Sequence, residues 1–243
     1  VGSHDRYRHR AMNYDWEQLG EHVWRTRLPF LDVTVGLVGG STKALLVDAG
    51  TTLTEARRIE EDVAALTGHR VAHIVLTHNH FDHILGASWF NDAEITCAPE
   101  VADTMSDGRA QLRTDAISHG ADAGEVDRAI ASMRVPARPV SGADIDLGGR
   151  SVSIGHPGRG HTTHDLIVTV PDRHPVVFCG DLVEQSGDPV IDADSDLVAW
   201  PATLEAVLAA GGQDGVFVPG HGAVVDAHFV RRQQRWLSGR RRW

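Results

Sequence analysis

Residues 71–76 (Val-Ala-His-Ile-Val-Leu) form a largely apolar run that ends in Thr77-His78-Asn79-His80-Phe81-Asp82-His83. Such a run fits a buried strand, and Ile84-Leu85-Gly86-Ala87-Ser88-Trp89-Phe90 reads as the start of a helix. Four metal-competent side chains therefore sit on one strand-to-helix loop. Alternate residues of an extended segment share a face, so His78, His80 and Asp82 are expected on one side, with His83 turning away into the helix. One ion could take the first two and a second ion the last two. Imidazole and carboxylate without thiolate suit zinc first, with iron or manganese as alternatives.

One loop cannot complete two coordination shells, so further ligands must arrive from elsewhere in the chain. Three candidates follow hydrophobic segments and a glycine: His161 in Gly160-His161-Thr162, Asp181 after Val176-Val177-Phe178-Cys179-Gly180, and His221 after Val216-Phe217-Val218-Pro219-Gly220. Glycine at each place lets the backbone turn sharply and approach a metal cluster closely.

With these residues assembled, the chain resembles the metallo-β-lactamase superfamily from about Val33 to His221, with all five motifs in order. The early aspartate is Asp48 in Leu46-Val47-Asp48-Ala49-Gly50; the signature loop follows, then His161, Asp181 and His221. The resemblance implies an α+β fold, a four-layer αββα sandwich with a dinuclear site along one edge of its strands. It implies that His78, His80 and His161 bind one zinc ion (Zn2+), that Asp82, His83 and His221 bind the other, and that Asp181 bridges them. Asp48 would orient the signature loop through hydrogen bonds. A cysteine or serine stands at the bridging position in the true β-lactamases, whereas an aspartate is what thioesterases, lactonases and RNase Z-like nucleases carry. Penicillin-type hydrolysis is therefore not the expected main activity.

The expected chemistry is hydrolysis of a small ester, lactone or thioester. Two close zinc ions lower the pKa of a trapped water to about 7, supplying hydroxide, and Asp82 is placed to accept and pass on the proton. A mononuclear iron oxygenase of the sulfur dioxygenase type and an RNase Z-like phosphodiesterase are the alternatives. Phe30 at a hairpin tip, Phe81 in the signature loop and His164 in Thr163-His164-Asp165 are candidate substrate contacts.

At 243 residues and 42% hydrophobic content, the chain has enough material for a two-sheet core. Residues 1–12 are expected to be a disordered arm and residues 13–243 one domain. No stretch approaches 18 consecutive apolar residues, and the first residues have no apolar core of a signal peptide, so a cytoplasmic protein without a membrane partner is expected. The formal charge of −10 opposes a nucleic-acid partner and favours a small-molecule substrate. Arg231, Arg232, Arg235, Arg240, Arg241 and Arg242 are the exception, read as a solvated helix and tail. Two cysteines, Cys97 and Cys179, make no disulfide framework.

Residues 22–28, 32–38 and 43–47 read as antiparallel strands and residues 52–66 as a helix ending before Gly68. Residues 99–133 read as mostly helical, with an apolar stripe through Val101, Met105, Leu112, Ile117, Val126 and Ile130 that is expected to face the core. Residues 144–147 and 151–154 read as a hairpin, 166–170 and 176–179 as strands, and 197–210 and 224–236 as helices.

Overall fold

The computed structural model describes residues 11–136 and 139–240. Its first sheet contains, in sequence order, β1 (Glu17–Gly20), β2 (Val23–Arg27), β3 (Thr34–Gly39), β4 (Ala44–Val47), β5 (Val71–Val75) and β6 (Glu94–Thr96). Pairing is antiparallel as far as β4 and parallel from there on. The parallel step needs a crossover, which α1 (Leu53–Thr67) provides between β4 and β5. A reciprocal Thr52–Glu55 capping box starts this helix, and Gly68 in the left-handed region ends it.

The second sheet has the order β11 (Val216–His221), β10 (Val176–Glu184), β9 (Ile167–Val170), β8 (Ser151–Gly155) and β7 (Gly142–Asp146). Only β10 and β11 run parallel, with α6 (Trp200–Gly211) between them in sequence. The remaining helices are α2 (Phe81–Ile84), α3 (Pro99–Asp107), α4 (Arg109–Ser118), α5 (Ala123–Ala131) and α7 (Ala227–Arg240).

Strand periodicity explains how the layers stack. Val176 and Phe178 of β10 join Val168, Val170 and Val218 in the core that includes the first sheet, while Val177 and Cys179 join Phe217 in a second core with Trp200, Leu204, Val230 and Leu237 of α6 and α7. Strands buried on both faces read as continuous apolar runs, as residues 176–179 do. The sheets approach so closely that a Cβ on Gly36 would meet the Phe178 ring at 2.4 Å. With α1 on the outer side of the first sheet and α6 and α7 outside the second, the result is the expected four-layer α+β sandwich.

Several boundaries differ from expectation. β1 and β6 are short and were not anticipated. The helix expected from Ile84 begins at Phe81, and a 3-10 turn (Leu85–Trp89) follows it. β10 runs on to Glu184, so Asp181 lies inside the strand rather than after it. Of the apolar stripe, Val101, Met105, Leu112 and Val126 are buried in the core.

The expected N-terminal arm, residues 1–12, falls almost wholly outside the described residues. From Asn13 the chain is fastened to α1, because the Asp62 carboxylate accepts from the backbone N–H groups of Asn13 (2.8 Å) and Tyr14 (3.0 Å) and from the Trp16 indole (3.0 Å). The Arg240 guanidinium lies 3.8 Å over the Trp236 ring and that of Arg232 5.2 Å from the Phe229 ring, so these α7 cations rest on aromatics of their own helix. Arg241 and Arg242 lie outside the described residues. Among the described residues, no helix is long and apolar enough to cross a membrane.

Candidate metal centre

The seven candidate ligands, drawn from residues 78 to 221, converge at one edge of the sandwich. Donor atoms of His78, His80, His161 and Asp181 lie within 4.8 Å of one another, and so do those of Asp82, His83 and His221. In the first group His161 Nε2 is 3.0 Å from His80 Nδ1. In the second, His83 Nε2 and His221 Nε2 are 3.3 Å apart, and Asp82 Oδ2 is 3.3 Å from His221 Nε2.

Asp181 stands between the groups. Its Oδ2 is 3.6 Å from His78 Nε2, 3.5 Å from His161 Nε2 and 3.4 Å from His221 Nε2, and its Oδ1 is 3.3 Å from His83 Nε2. The grouping corrects one expectation. Asp82 does not share a face with His78 and His80; α2 already begins at Phe81, so helical geometry carries Asp82 away with His83.

Hydrogen bonds on the outer side of the rings fix which nitrogen faces inward. His161 Nδ1 donates to the Val190 carbonyl at 3.2 Å and His221 Nδ1 to the Leu31 carbonyl at 2.8 Å. His83 Nδ1 donates to Asp48 Oδ2 at 2.9 Å. The Thr77 hydroxyl donates to Asp48 Oδ2 at 2.9 Å, so its oxygen is left to accept from His78 Nδ1 at 2.9 Å. All four imidazoles thereby present Nε2 to the centre, whereas His80 turns Nδ1 toward His161.

The electrostatics differ between the groups. Burial pushes the His78 imidazole well below its ordinary range and that of His161 down to about 4, so both are neutral. Burial acts the same way on His83 and His221, but the Asp181 and Asp82 carboxylates outweigh it, with Asp48 adding to the effect at His83, and hold both well above the usual histidine range. Burial would raise the Asp181 carboxyl, but His83 and His221 outweigh it and hold the carboxyl well below its usual range.

The residues fit a metal pair. His78 Nε2 and Asp181 Oδ1 are buried without a hydrogen-bond partner, a costly arrangement that cation coordination would satisfy. The donors are nitrogen and oxygen in two groups of the size that zinc, iron or manganese takes.

Glycines permit the convergence. A Cβ on Gly220 would fall 1.8 Å from Asp181 Oδ1, so the residue before His221 has to be the smallest. Gly180, with φ +52°, adopts the left-handed conformation at the register shift that brings Asp181 into line.

Comparison with known proteins agrees with this geometry. The family model described as the metallo-beta-lactamase superfamily matches residues 28–221. The chain belongs to the metallo-β-lactamase superfamily.

Among superfamily members, it is 27% identical over 217 residues to the metallo-beta-lactamase type 2 of Bacillus cereus, covering 86% of this chain and 77% of that one. Against the metallo-beta-lactamase type 2 of Pseudomonas aeruginosa it is 22% identical over 195 residues, covering 79% and 68%. In fold, it superimposes on the metallo-beta-lactamase from Pontibacter korlensis with a TM-score of 0.72 at 19% identity, over 93% of this chain and 99% of that one. For VMB-1 the TM-score is 0.73 at 18% identity, over 95% and 99%.

Above the ligands opens a cavity of about 890 Å³ whose lining includes His80, Asp82, His161, Asp181 and His221. Phe81 lines it as expected of a substrate contact, 5.3 Å from the His119 ring. Phe30 does not; it packs on the core, and its neighbour Leu31 reaches the cavity from a tip where Leu31 and Asp32 both have positive φ. His164 is buried beside the cavity without lining it, its Nε2 unpartnered, and its pKa is lowered by burial.

Sequence reasoning missed Glu184. Its carboxyl joins Asp181 and His221 in a further cluster and is pushed up to about 8, first by burial and then by the Asp181 charge. The signal in sequence is slight, since Glu184 follows Leu182-Val183 three residues after Asp181 and opens the polar stretch Gln185-Ser186-Gly187-Asp188.

Proposed function

We propose that the chain is a metal-dependent hydrolase of small esters, lactones or thioesters. His78, His80 and His161 would hold one divalent ion, Asp82, His83 and His221 the other, and Asp181 would touch both. The observation that carries this reading is the position of Asp181, whose two oxygens lie 3.3 to 3.6 Å from imidazole nitrogens of both groups. Zinc is the first choice for the ions, given the nitrogen and oxygen donors.

Two such ions, when bound, lower the pKa of a shared water toward about 7 and polarise the carbonyl under attack. The protein's own groups do the remainder. The outer hydrogen bonds to Asp48, Thr77, Leu31 and Val190 hold the imidazoles in one orientation, so little reorganisation accompanies reaction. Asp82 lies at the cavity wall, where it takes the proton released when water attacks the acyl carbon and returns it to the leaving oxygen or sulfur. Asp48 acts through Thr77 and His83 and touches no reacting atom.

The named relatives are metallo-beta-lactamases, which makes β-lactam hydrolysis the reading to set against this one. Asp181 stands where those enzymes are expected to carry cysteine or serine, and this favours acyl esters over β-lactams. A hydrolysis panel of lactones, thioesters, simple esters, phosphodiesters and β-lactams on zinc-loaded protein tests the choice. Turnover of an ester, lactone or thioester at least tenfold above any β-lactam supports it; a preferred β-lactam or phosphodiester overturns it.

A further inference from the structure

The charge of the cavity wall bears on what the cavity accepts. Outside the ligand groups and Glu184, the wall carries Asp115 from α4 and Asp188, Asp192 and Asp194 from the segment after β10. Among the described residues no lysine or arginine lines the cavity, and His119 is the one non-ligand side chain there that can become positive. Only Asp188 has a cationic partner in reach from outside the cavity, Arg240 at 3.8 Å. Asp194 lies 4.0 Å from His80, and no ion pair involves Asp115 or Asp192 among the described residues. The floor of this same cavity is formed by the ligand groups, with His80, Asp82, His161, Asp181 and His221 in its lining, so whatever enters it meets the proposed reacting centre.

Clefts lined by one sign of charge focus the field and concentrate oppositely charged molecules. A carboxylate- or phosphate-bearing substrate would reach the two proposed divalent ions, whose charge Asp82 and Asp181 partly offset, only past these aspartates, with no guanidinium or ammonium on the wall to receive it. A substrate carrying an ammonium would be drawn in and would find carboxylates on the wall opposite its scissile bond. We propose that the cavity selects acyl substrates bearing a positively charged amine or quaternary ammonium group, with the cation against the Asp188–Asp192–Asp194 wall. The inference rests on the hydrolase reading for the reaction, but the charge preference itself is a property of the wall.

Three esters of one size separate the cases: butyrylcholine, its uncharged isostere 3,3-dimethylbutyl butyrate, and 3-sulfopropyl butyrate. For the zinc-loaded protein, kcat/KM is expected to fall in that order, by about tenfold or more from first to last at low ionic strength, with the spread shrinking in high salt. The double variant Asp188→Asn/Asp192→Asn, at two exposed positions, should narrow the spread by lowering kcat/KM for butyrylcholine relative to the neutral ester. The three corresponding amides, measured by equilibrium binding, read the same preference without turnover. Cation-selective amide binding without ester hydrolysis would sink the hydrolase reading and keep the charge inference. Ester hydrolysis with no charge order, equal amide affinities, or binding by none of the amides overturns the inference.

Discussion

Asp48 Oδ2 lies 2.9 Å from His83 Nδ1, linking two side chains 35 residues apart, and the same carboxylate accepts from the Thr77 backbone N–H at 2.8 Å and from the Thr77 hydroxyl. One buried carboxylate thus orients His83 directly and His78 through Thr77, and ties both to the end of β4. It does so from a backbone with φ +61°, unusual for a residue other than glycine.

Asp48→Ala should therefore loosen metal binding at the Asp82, His83 and His221 group by about 10- to 100-fold. It should also cost about 1–3 kcal/mol of stability, because the buried Thr77 N–H loses its acceptor. Competitive zinc titration and thermal unfolding on the same variant check both; unchanged zinc affinity would show that His83 needs no such support.

Asp181→Asn should remove the second metal equivalent, and in the metal-free protein it should also lower stability near neutral pH, because His83 and His221 lose the carboxylate that favours their charged form. An amide cannot offset the repulsion of two neighbouring cations, although it keeps nearly the same volume. Zinc content after dialysis, set beside circular dichroism, separates the two effects. Retention of two equivalents would mean that Asp181 does not join the groups.

Gly220→Ala tests the packing that lets the groups meet. Its Cβ would fall 1.8 Å from Asp181 Oδ1 and 2.9 Å from the Asp181 backbone nitrogen, so the shift must involve main chain. A loss of about 1–3 kcal/mol, typical of an overpacked site, together with reduced zinc affinity is expected. Gly239→Ala, in α7 where nothing lies within 4 Å of the added carbon, is the control: zinc affinity should not change, and stability should not fall, since alanine favours the helix over glycine.

The pKa directions set how metal binding depends on pH. In metal-free protein His83 and His221 are raised, and their facing Nε2 atoms, 3.3 Å apart, keep one proton between them at neutral pH, whereas His78 is lowered and His161 falls to about 4, so both are already neutral. The sign for stability follows. His78 and His161 make the metal-free fold less stable as pH falls below the unfolded value of about 6.5, while the contribution of His83 and His221 is full below that pH and is lost as pH rises through their raised values. On metal binding near pH 7, the Asp82, His83 and His221 group should release about one proton, the one held between the two facing Nε2 atoms, and the other group should release none from His78 or His161. Calorimetry in buffers of different ionisation enthalpy measures this; equal release at both steps would contradict the assignment of the charged pair.

Much of the site was legible because ligand chemistry is local. A histidine-rich loop behind an apolar strand, and a glycine before each distant ligand, are written in short stretches of sequence. What was not legible depends on tertiary geometry. The grouping of Asp82 with His83 is legible, but its face is not, because a four-residue helix has too little periodicity to declare itself; β10 reads too short because Gly180 resembles a strand end until its register shift is seen. Phe30 was chosen over Leu31 because aromaticity is visible in sequence, whereas two successive positive-φ residues that turn the tip are not. Glu184 was overlooked because its meaning depends on the carboxylate three residues before it, on a strand assumed to have ended.

The central claim is a pair of metal ions joined through Asp181, and an anomalous-diffraction structure of zinc-loaded protein tests it most directly. The account predicts two ions about 3.5–4 Å apart, with His78, His80 and His161 on one, Asp82, His83 and His221 on the other, and Asp181 oxygen about 2.0–2.2 Å from each. A single ion, or two ions with Asp181 bound to neither, would contradict it.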